Sequence, residues 1–419
     1  MDARAGIGIV KHGKRSFGQF AHWTANDKEV QGTAIYASSK EILMNNKKLL
    51  ILGGYGNTGR LIAGLLLQET DIELILAGRS IEKAENLAQL LNDRFEGNRV
   101  TGIRADASDA ENLKQVFCGV DMVIVASSTA KYAAHAALAA LEVGIDYMDI
   151  QYSTEKTSLL KSMTSEIEKA GRCFITDGGF HPGLPAALVH YVAQHYDKLE
   201  KANVGSVIKI NWAGLSVAES TAYEFMSELT DFETLVFKKG KWEKSRFQGM
   251  LNYITMDFGR GFGRQYAVPM FIEEMRCIPE TYPSISETGF YVGGFNWFVD
   301  WLIFPLATIL LKLFPKRAAK TTTKLMSWGL KTFSKPPYGT LLKVESAGIK
   351  GGKAKTIDVT LYHQDGYMFT AIPVVACLLQ YLDGPIRKPG FWTQANIVEP
   401  NRMMKDMERM GVDVTIHVQ

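Results

Sequence analysis

The glycines between Gly53 and Gly59 are the residues whose types and spacing point most directly to chemistry. Three of them fit the pattern GxGxxG, after an apolar run and before a helical segment, and Gly53 adds one more flexible position. One glycine of such a loop makes the turn, the next admits a pyrophosphate, and the third lets the helix pack closely. N–H groups at the helix start attract phosphates. A ligand-free turn is the alternative, but the context favours a dinucleotide site formed by Gly53, Gly54, Gly56, Asn57, Thr58 and Gly59.

The end of the second apolar run indicates which dinucleotide binds. An NAD site places Asp or Glu there to hold the ribose hydroxyls, whereas this sequence has AGRS, Ala77 to Ser80. Arg79 can pair with a 2′-phosphate and stack on adenine, and the Ser80 hydroxyl can donate a hydrogen bond. A solvated loop arginine is the alternative. The sequence predicts NADP as the cofactor.

Residues after the third and fourth apolar runs are expected to line the same cofactor. Asp106 and Ala107 are placed to contact the adenine, and Ala126, Ser127 and Ser128 are placed along the dinucleotide. Ser128 could equally be a loop hydroxyl that satisfies backbone groups.

The elements that must position these residues are short strands that alternate with helices from Lys47 onward. Each strand is a brief apolar run, typical of a parallel strand that is buried on both faces. The alternation requires right-handed crossovers and a doubly wound parallel sheet. The predicted strands lie in LLILGG, IELILAGRS, RVTGIRAD, VDMVIVASS, IDYMDI and GRCFITDGG.

Four of these stretches resemble the saccharopine dehydrogenase family in its NADP-binding, saccharopine-reductase-like branch: LLILGGYGNTGR, LILAGRS, VDMVIVASS and TDGGFHPGLPAALVHY. The tail from YLDGPIRKPG onward is also similar to that family. The resemblance implies a Rossmann-type nucleotide domain interrupted by a second mixed α/β domain, and a homodimer. The predicted division is an N-terminal extension (1–46), an NADP-binding domain (47–177), a substrate and dimerisation domain (178–370) and a segment returning to the nucleotide domain (371–419).

Three residues are candidates for catalysis: His181, Glu219 and Tyr223. The family's junction motif usually has Asp-Pro-Gly, whereas this chain has His181-Pro182-Gly183, which argues against an amino-acid substrate. His181 could donate a proton, because histidine titrates near neutral pH, or it could cap the turn. Tyr223 could protonate a reduced carbonyl, although a packed helix with one polar face explains Glu219 and Tyr223 equally well.

The middle of the chain offers two contrasting substrate signals. Arg246, Arg260, Arg264 and Arg276 could bind carboxylates. Residues 290–317 are instead rich in aromatic and aliphatic residues and end in basic ones, and their uninterrupted apolar core is too short to span a bilayer. Three alternatives remain for this segment: a dimer-interface helix, an interfacial membrane anchor or a lining for an apolar substrate.

Composition excludes several other classes. A net charge of +3 in 419 residues is too small to indicate nucleic-acid binding, and the sequence has no basic stripe interleaved with aromatic residues. Four separated cysteines indicate thiols in a reducing compartment, so the cytoplasm is expected, with a membrane surface as the alternative position. No grouping has metal-ligand spacing. Residues 1–43 could be an extension or a transit peptide; alternatively, translation could begin at Met44.

These observations predict an NADP-dependent oxidoreductase that transfers hydride between the cofactor and a C=N, C=O or C=C bond. The substrate is expected to be apolar or lipid-like. The rival hypothesis is a non-catalytic NADP-binding protein that senses redox state or organises a complex at a membrane surface.

Overall fold

The computed structural model describes residues 47–127, 129–209, 211, 233–245, 253–294, 296, 298–303, 306, 309–310, 313 and 315–419. In its first half, short apolar strands alternate with helices. The strands are β1 (Lys48–Leu52), β2 (Glu73–Gly78), β3 (Val100–Arg104), β4 (Met122–Val125), β5 (Asp146–Asp149) and β6 (Cys173–Thr176). The helices are α1 (Asn57–Glu69), α2 (Ile81–Arg94), α3 (Ala110–Phe117), α4 (Ala133–Val143), α5 (Thr154–Ser162) and α6 (Thr164–Lys169).

These strands form a seven-stranded, all-parallel sheet with β15 (Gly390–Thr393) at one edge. The strand order is β15-β6-β5-β4-β1-β2-β3. Alternate residues of β1 contribute to two different buried clusters, Leu49 and Ile51 to one and Leu50 and Leu52 to the other. Both faces are therefore covered by helices, and the predicted Rossmann-type architecture is confirmed.

A second, mixed sheet contains the remaining strands in the order β10-β11-β12-β7-β13-β14-β16, with β8 paired to β12 and β9 paired to β8. Only β7 and β12 pair in parallel along this path. The second mixed α/β part of the predicted fold class is thus confirmed. The strands are β7 (Lys198–Lys209), β8 (Leu235–Lys238), β9 (Lys241–Lys244), β10 (Ile254–Asp257), β11 (Arg264–Pro269), β12 (Glu287–Gly293), β13 (Gly339–Lys350), β14 (Lys353–His363) and β16 (Asp413–Val418).

The longest buried helix lies between the two sheets. This helix, α10 (Gly366–Leu382), is apolar along most of its length, and it contacts both α1 and strands β13 and β14. It matches the buried helix predicted at TAIPVVACLLQYL. The other helices of the second half are α7 (Pro185–Ala193), α8 (Ile278–Thr281), α9 (Pro315–Phe333), α11 (Gln394–Ile397) and α12 (Pro400–Arg409).

The residues after 371 contribute a strand to each sheet. β15 pairs with β6 in the parallel sheet, and β16 pairs with β14 in the mixed sheet. The four-part division of the chain stays a prediction. Glu219, Tyr223 and Ser128 lie outside the described residues, as do Arg246 and the N-terminal extension.

Candidate cofactor and substrate site

The glycine loop between β1 and α1 has space for backbone only. Gly53 has φ +89°, a left-handed conformation that favours glycine, and its N–H donates to the Ala77 carbonyl at 2.8 Å. A Cβ on Gly59 would lie 2.3 Å from the Gly53 carbonyl oxygen. The turn is made at Gly53, and Gly59 lets α1 approach the strand. Gly54 is buried against Leu76, so it also belongs to the close packing of this loop.

The start of α1 has no side-chain cap. Its N-cap is Gly56. Ser80, Asp109 and Ser153 cap α2, α3 and α5, whereas α4 and α6 also lack a side-chain cap. The first N–H groups of a helix need acceptors. Asn57 is exposed and Thr58 is half-buried at this end, so the loop offers N–H donors to an anion at the sheet edge.

The end of β2 carries Arg79, which is exposed, and Ser80, whose hydroxyl accepts from the Lys83 N–H at 3.4 Å. Ser80 therefore caps α2, a role beyond its predicted contact with the cofactor. Tyr55, inside the glycine motif, was not singled out from the sequence. Its hydroxyl accepts from the Ser80 N–H at 3.1 Å, and its ring covers Gly78, where a Cβ would lie 2.5 Å from the ring.

A second arginine joins Arg79 at this edge. Arg104, the last residue of β3, stands in register with Gly78. Asp106 follows it, and its Oδ1 accepts from the Ser108 N–H at 3.0 Å and the Ser108 hydroxyl at 2.7 Å. These bonds lower the pKa of Asp106, with help from Arg79 and Arg104. Both guanidinium groups thus act on Asp106 at this edge, and the sequence signal for Arg104 is its position at the end of a predicted strand.

The predicted contact Ala107 is buried beside this turn. Its carbonyl lies 3.3 Å from Nδ1 of His135 on α4. Asp106 and Ala107 therefore belong to a loop whose polar atoms are largely engaged within the protein.

Ser127 and Gln151 meet where β4 and β5 end. The Gln151 side-chain N–H₂ donates to the Ser127 carbonyl at 2.5 Å and to the Thr129 hydroxyl at 3.2 Å. Ala126, before Ser127, donates its N–H to the Leu52 carbonyl at 2.8 Å. The Gln151 Oε1 atom is buried and has no hydrogen-bond partner. A fixed acceptor without a donor therefore faces this edge of the sheet, and nothing in the sequence marked Gln151.

A buried lysine holds the ends of β5 and β6 together. Lys156 Nζ donates to Asp149 Oδ1 at 2.6 Å, to Thr176 Oγ1 at 2.6 Å and to Asp177 Oδ1 at 3.0 Å, and also to the Gln151 carbonyl. Burial lowers the pKa of Lys156, but Asp149 and Asp177 outweigh it and the net direction is upward. The ammonium is charged and saturated with acceptors, so it organises this edge and is not free to act as a base.

His181 lies in the loop that leaves this edge. Its ring packs 3.9 Å from the Phe180 ring and 5.5 Å from the Phe290 ring, measured between centroids. Its Nε2 atom is buried without a partner. Burial lowers the pKa of His181 to about 3, which corrects the expectation of a pKa near neutrality. The imidazole is neutral at physiological pH, and only a neutral N–H could donate a proton.

Glu274 connects the second sheet's loops to the same region. Its buried carboxyl accepts from the Gly183 N–H at 2.6 Å and from the Ala186 N–H at 3.1 Å, at the start of α7. Burial raises the pKa of Glu274 to about 8, although both N–H groups act in the opposite direction. A glutamate this far along the chain gave no sequence signal of such a contact.

The arginines predicted to bind carboxylates are engaged elsewhere or face solvent. Arg260 pairs with Asp413 at 2.5 Å, Arg276 pairs with Glu273 at 2.8 Å, and Arg264 is exposed on β11. Within the described ranges, no group of three or more His, Cys, Asp or Glu side chains could hold a metal ion.

Comparison with known proteins agrees with this arrangement. Residues 49–174 match the family model described as the saccharopine dehydrogenase NADP binding domain. Apo saccharopine dehydrogenase (L-Glu forming) from Saccharomyces cerevisiae superposes with a TM-score of 0.64 at 16% identity, over 89% of this chain and 100% of that one. No curated protein sequence matches the chain.

Two further structures match the chain with lower scores. An engineered D-amino acid dehydrogenase bound to NADP+ has a TM-score of 0.43 at 14% identity, over 85% of this chain and 96% of that one. The C. glutamicum DAP dehydrogenase in complex with DAP has a TM-score of 0.41 at 14% identity, over 87% and 99%. Only the yeast enzyme is similar enough to inform the fold.

The glycine cradle, the uncapped helix and the paired arginines fit NADP, the cofactor named by the matching family model. The predicted cofactor is therefore confirmed, and the predicted resemblance is confirmed with it: residues 49–174 match the NADP-binding domain of the saccharopine dehydrogenase family.

Proposed function

We propose that the protein is an NADP-dependent oxidoreductase acting on a small molecule with a C=N, C=O or C=C bond. The observation that carries this proposal is the glycine cradle, where Gly59 touches Gly53 so closely that any side chain would collide. Such a loop suits a pyrophosphate held on main-chain N–H groups. The cofactor, when bound, supplies or accepts a hydride.

The chain's own residues would divide the remaining tasks. Arg79 and Arg104 would hold the 2′-phosphate, because guanidinium groups form charge-assisted bonds with phosphate. In the reducing direction, one carbon of the substrate gains the hydride, and the heteroatom of a C=N or C=O bond, or the second carbon of a C=C bond, gains a proton. A donor is therefore needed near that second atom. The neutral His181 and Tyr223 remain the proposed donors, with Glu219 as a further candidate.

Gln151 is proposed to bind the nicotinamide end. The two halves of a Rossmann sheet bind the two halves of the dinucleotide, and Arg79 lies on the β2 side while Gln151 lies on the β5 side. Its unpartnered Oε1 can accept from a carboxamide N–H. Gln151→Leu should weaken NADPH binding about 5- to 10-fold, the scale of one hydrogen bond.

Calorimetry with two ligands tests this role. Adenosine 2′,5′-bisphosphate lacks the nicotinamide, so its affinity should not change in Gln151→Leu. Equal loss for both ligands would show a general disturbance of the sheet edge and would refute the assignment.

Turnover separates the enzyme from its rival. NADPH oxidation is followed with imines, keto acids and enoyl lipids as substrates. Consumption of NADPH with any of these supports the oxidoreductase. Tight cofactor binding without consumption across the panel would favour a non-catalytic redox sensor.

A membrane-surface role is a second candidate, favoured by the exposed apolar residues near α9. Among the described side chains, Val299 and Ile303 pack on Met326 and Leu330. Trp301, Leu302, Leu306, Ile309, Leu313 and Trp328 are each 45–64% exposed. From Trp301 to Tyr338 the sequence holds seven Lys or Arg and no Asp or Glu. Within the described part of the chain, no helix is long and apolar enough to cross a bilayer.

Such a surface suits anionic lipid headgroups, because apolar insertion and basic charge act together. The protein should sediment with phosphatidylserine vesicles, and Trp301→Ser with Leu302→Ser should abolish this. Leu90→Ser is the matched control, since Leu90 is 64% exposed on α2. A wild-type protein that stays in the supernatant would remove this candidate. The cytoplasmic location and the homodimer also remain proposals, and sedimentation velocity tests the dimer.

A further inference from the structure

Six buried polar atoms of the described side chains outside the cofactor edge have no hydrogen-bond partner. Three of them are Ser206 Oγ on β7, Thr340 Oγ1 on β13 and His181 Nε2, and the others belong to Tyr147, Asn203 and Tyr291. Ser206 is 0% exposed and Thr340 is 1% exposed. Buried polar atoms in native proteins are nearly always paired, and each exception needs an explanation. Ser206, Thr340 and His181 come from three separate segments, and one ligand shared by all three would explain these exceptions.

The two hydroxyls lie on the same face of the mixed sheet. Ser206 pairs in register with Leu342, and Thr340 pairs with Ile208, so the two stand diagonally across adjacent strands. Side chains alternate between faces along a strand. Val204 and Leu342 belong to the cluster that includes α10, whereas Val207 and Leu341 belong to a separate cluster on the opposite face. Ser206 and Thr340 thus face α10.

His181 borders the same space. The ring beside it, Phe290, belongs to β12 and stands in register with Val204. Phe180 stacks on Phe369 of α10 at 5.1 Å between ring centroids. At the start of α10, a Cβ on Gly366 would lie 3.1 Å from Thr340 Oγ1. The loop, the helix and the sheet therefore enclose the three unpaired atoms from different sides.

The surroundings are aromatic and uncharged. Burial alone lowers the pKa of His181, with no contribution from a described charged neighbour. The two nearby lysines point to the other face: Lys209 Nζ lies over the Phe262 ring, and Lys343 Nζ donates to the Asp257 carbonyl. A carboxylate in this space would lack a cationic partner, and burying an unpaired charge is costly.

We infer that Ser206, Thr340 and His181 form the polar contact for a carbonyl or hydroxyl group of an otherwise apolar substrate, with Phe180, Phe290 and Phe369 around its hydrocarbon part. This deepens the proposed function and rests on it for the substrate's role in turnover. The site recognises a neutral oxygen through two hydroxyls and an imidazole, and it rejects acids such as amino-acid substrates.

Binding of three probes of similar length tests the assignment: methyl hexyl ketone, octanoate and octane. Calorimetry uses the full chain with and without NADP+. The wild type should bind the ketone more tightly than the other two. Ser206→Ala combined with Thr340→Val should weaken ketone binding by roughly tenfold, the scale of one to two hydrogen bonds, and leave octane unchanged. Unchanged ketone affinity in the double variant, or a wild type that prefers octanoate, overturns the inference.

Matched variants keep this result separate from misfolding and from turnover. Thr340→Ser retains the hydroxyl and should bind the ketone like the wild type, whereas Thr340→Val alone should not. This pair decides the matter if the double variant does not fold. Ketone binding without NADPH oxidation by the ketone or by any imine, keto acid or enoyl lipid of the panel would support the pocket and refute the oxidoreductase proposal. Oxidation of NADPH with keto acids alone would do the reverse.

Discussion

The cofactor edge and the inward face of the mixed sheet bind in opposite ways. At the edge, the donors are main-chain N–H groups exposed by glycines, and most side chains there are already engaged, as with Ser80 and Asp106. On the inward face, the backbone is fully committed to the sheet, and the free groups are the side chains of Ser206 and Thr340. The cofactor edge therefore offers main-chain N–H groups to its ligand, and the inward face of the mixed sheet offers side-chain hydroxyls.

This difference explains why one site is evident from sequence and the other is not. A loop that uses its backbone must exclude side chains, so glycine at fixed spacing leaves a signature. A pocket made of side chains on strands needs only residues that are common in strands. Serine and threonine at such positions carry no signature until their partners, or lack of them, can be examined.

The largest expected effect comes from adding one methyl group to the edge. Gly59→Ala places a Cβ 2.3 Å from the Gly53 carbonyl, so we expect the loss of measurable NADPH binding by calorimetry. Gly64→Ala is the matched control on the same helix, because no atom lies within 4 Å of its Cβ. The control should bind normally and gain about 0.5–1 kcal/mol in stability. Normal NADPH binding by Gly59→Ala would contradict the claim that the cofactor edge binds through main-chain N–H groups exposed by glycines.

The next effect concerns Arg79, one of the two arginines proposed to bind the 2′-phosphate. Arg79→Ala should weaken NADPH binding by roughly 1–3 kcal/mol, the scale of a charge-assisted hydrogen bond, and leave NADH binding nearly unchanged. Titration with both cofactors checks this. Equal losses would contradict a phosphate-binding role for this guanidinium.

A pH effect is expected from Glu274, which lies where the cofactor edge meets the mixed sheet. Its pKa of about 8 in the folded protein exceeds the ordinary glutamate value of 4.5, so between these values the folded state holds a proton that the unfolded state releases. Stability should therefore fall as pH rises between these values. Glu274→Gln cannot titrate, so urea unfolding should show its stability relative to wild type rising over this range by more than about 1.4 kcal/mol, one pKa unit. A pH-independent difference would show that the carboxyl is ionised in the folded protein.

The smallest effect compares two buried threonines of the mixed sheet. The Thr288 hydroxyl donates to the Ala202 carbonyl at 2.7 Å, whereas the Thr340 hydroxyl has no partner. Thr288→Val should lower the free energy of unfolding by about 1 kcal/mol, and Thr340→Val should not lower it. Thermal unfolding of both variants measures this, and equal losses would mean that Thr340 is bonded in the protein.

The sequence predicted the part of the site that depends on local rules. The β1–α1 loop, the absence of an acid after β2 and the alternation of strands and helices all lie in short windows. Contacts between distant segments were beyond its reach. Tyr55 is recognised only by its hydrogen bond with Ser80 after β2, Gln151 by its bond to the loop after β4, and Glu274 by its bonds at the start of α7.

His181 shows the same limit for electrostatics. Its residue type suggested a pKa near neutrality, but burial beside Phe180 and beside Phe290 of the distant strand β12 lowers its pKa to about 3. Burial is a property of the assembled fold, so composition around position 181 could not reveal it.

The strands β15 and β16 have a consequence for folding. Each closes one edge of its sheet, and both follow all the other described strands along the chain. Neither sheet can complete its hydrogen bonding until the residues beyond 389 have been synthesised, so the backbone groups of β6 and β14 at these edges stay unpaired until then.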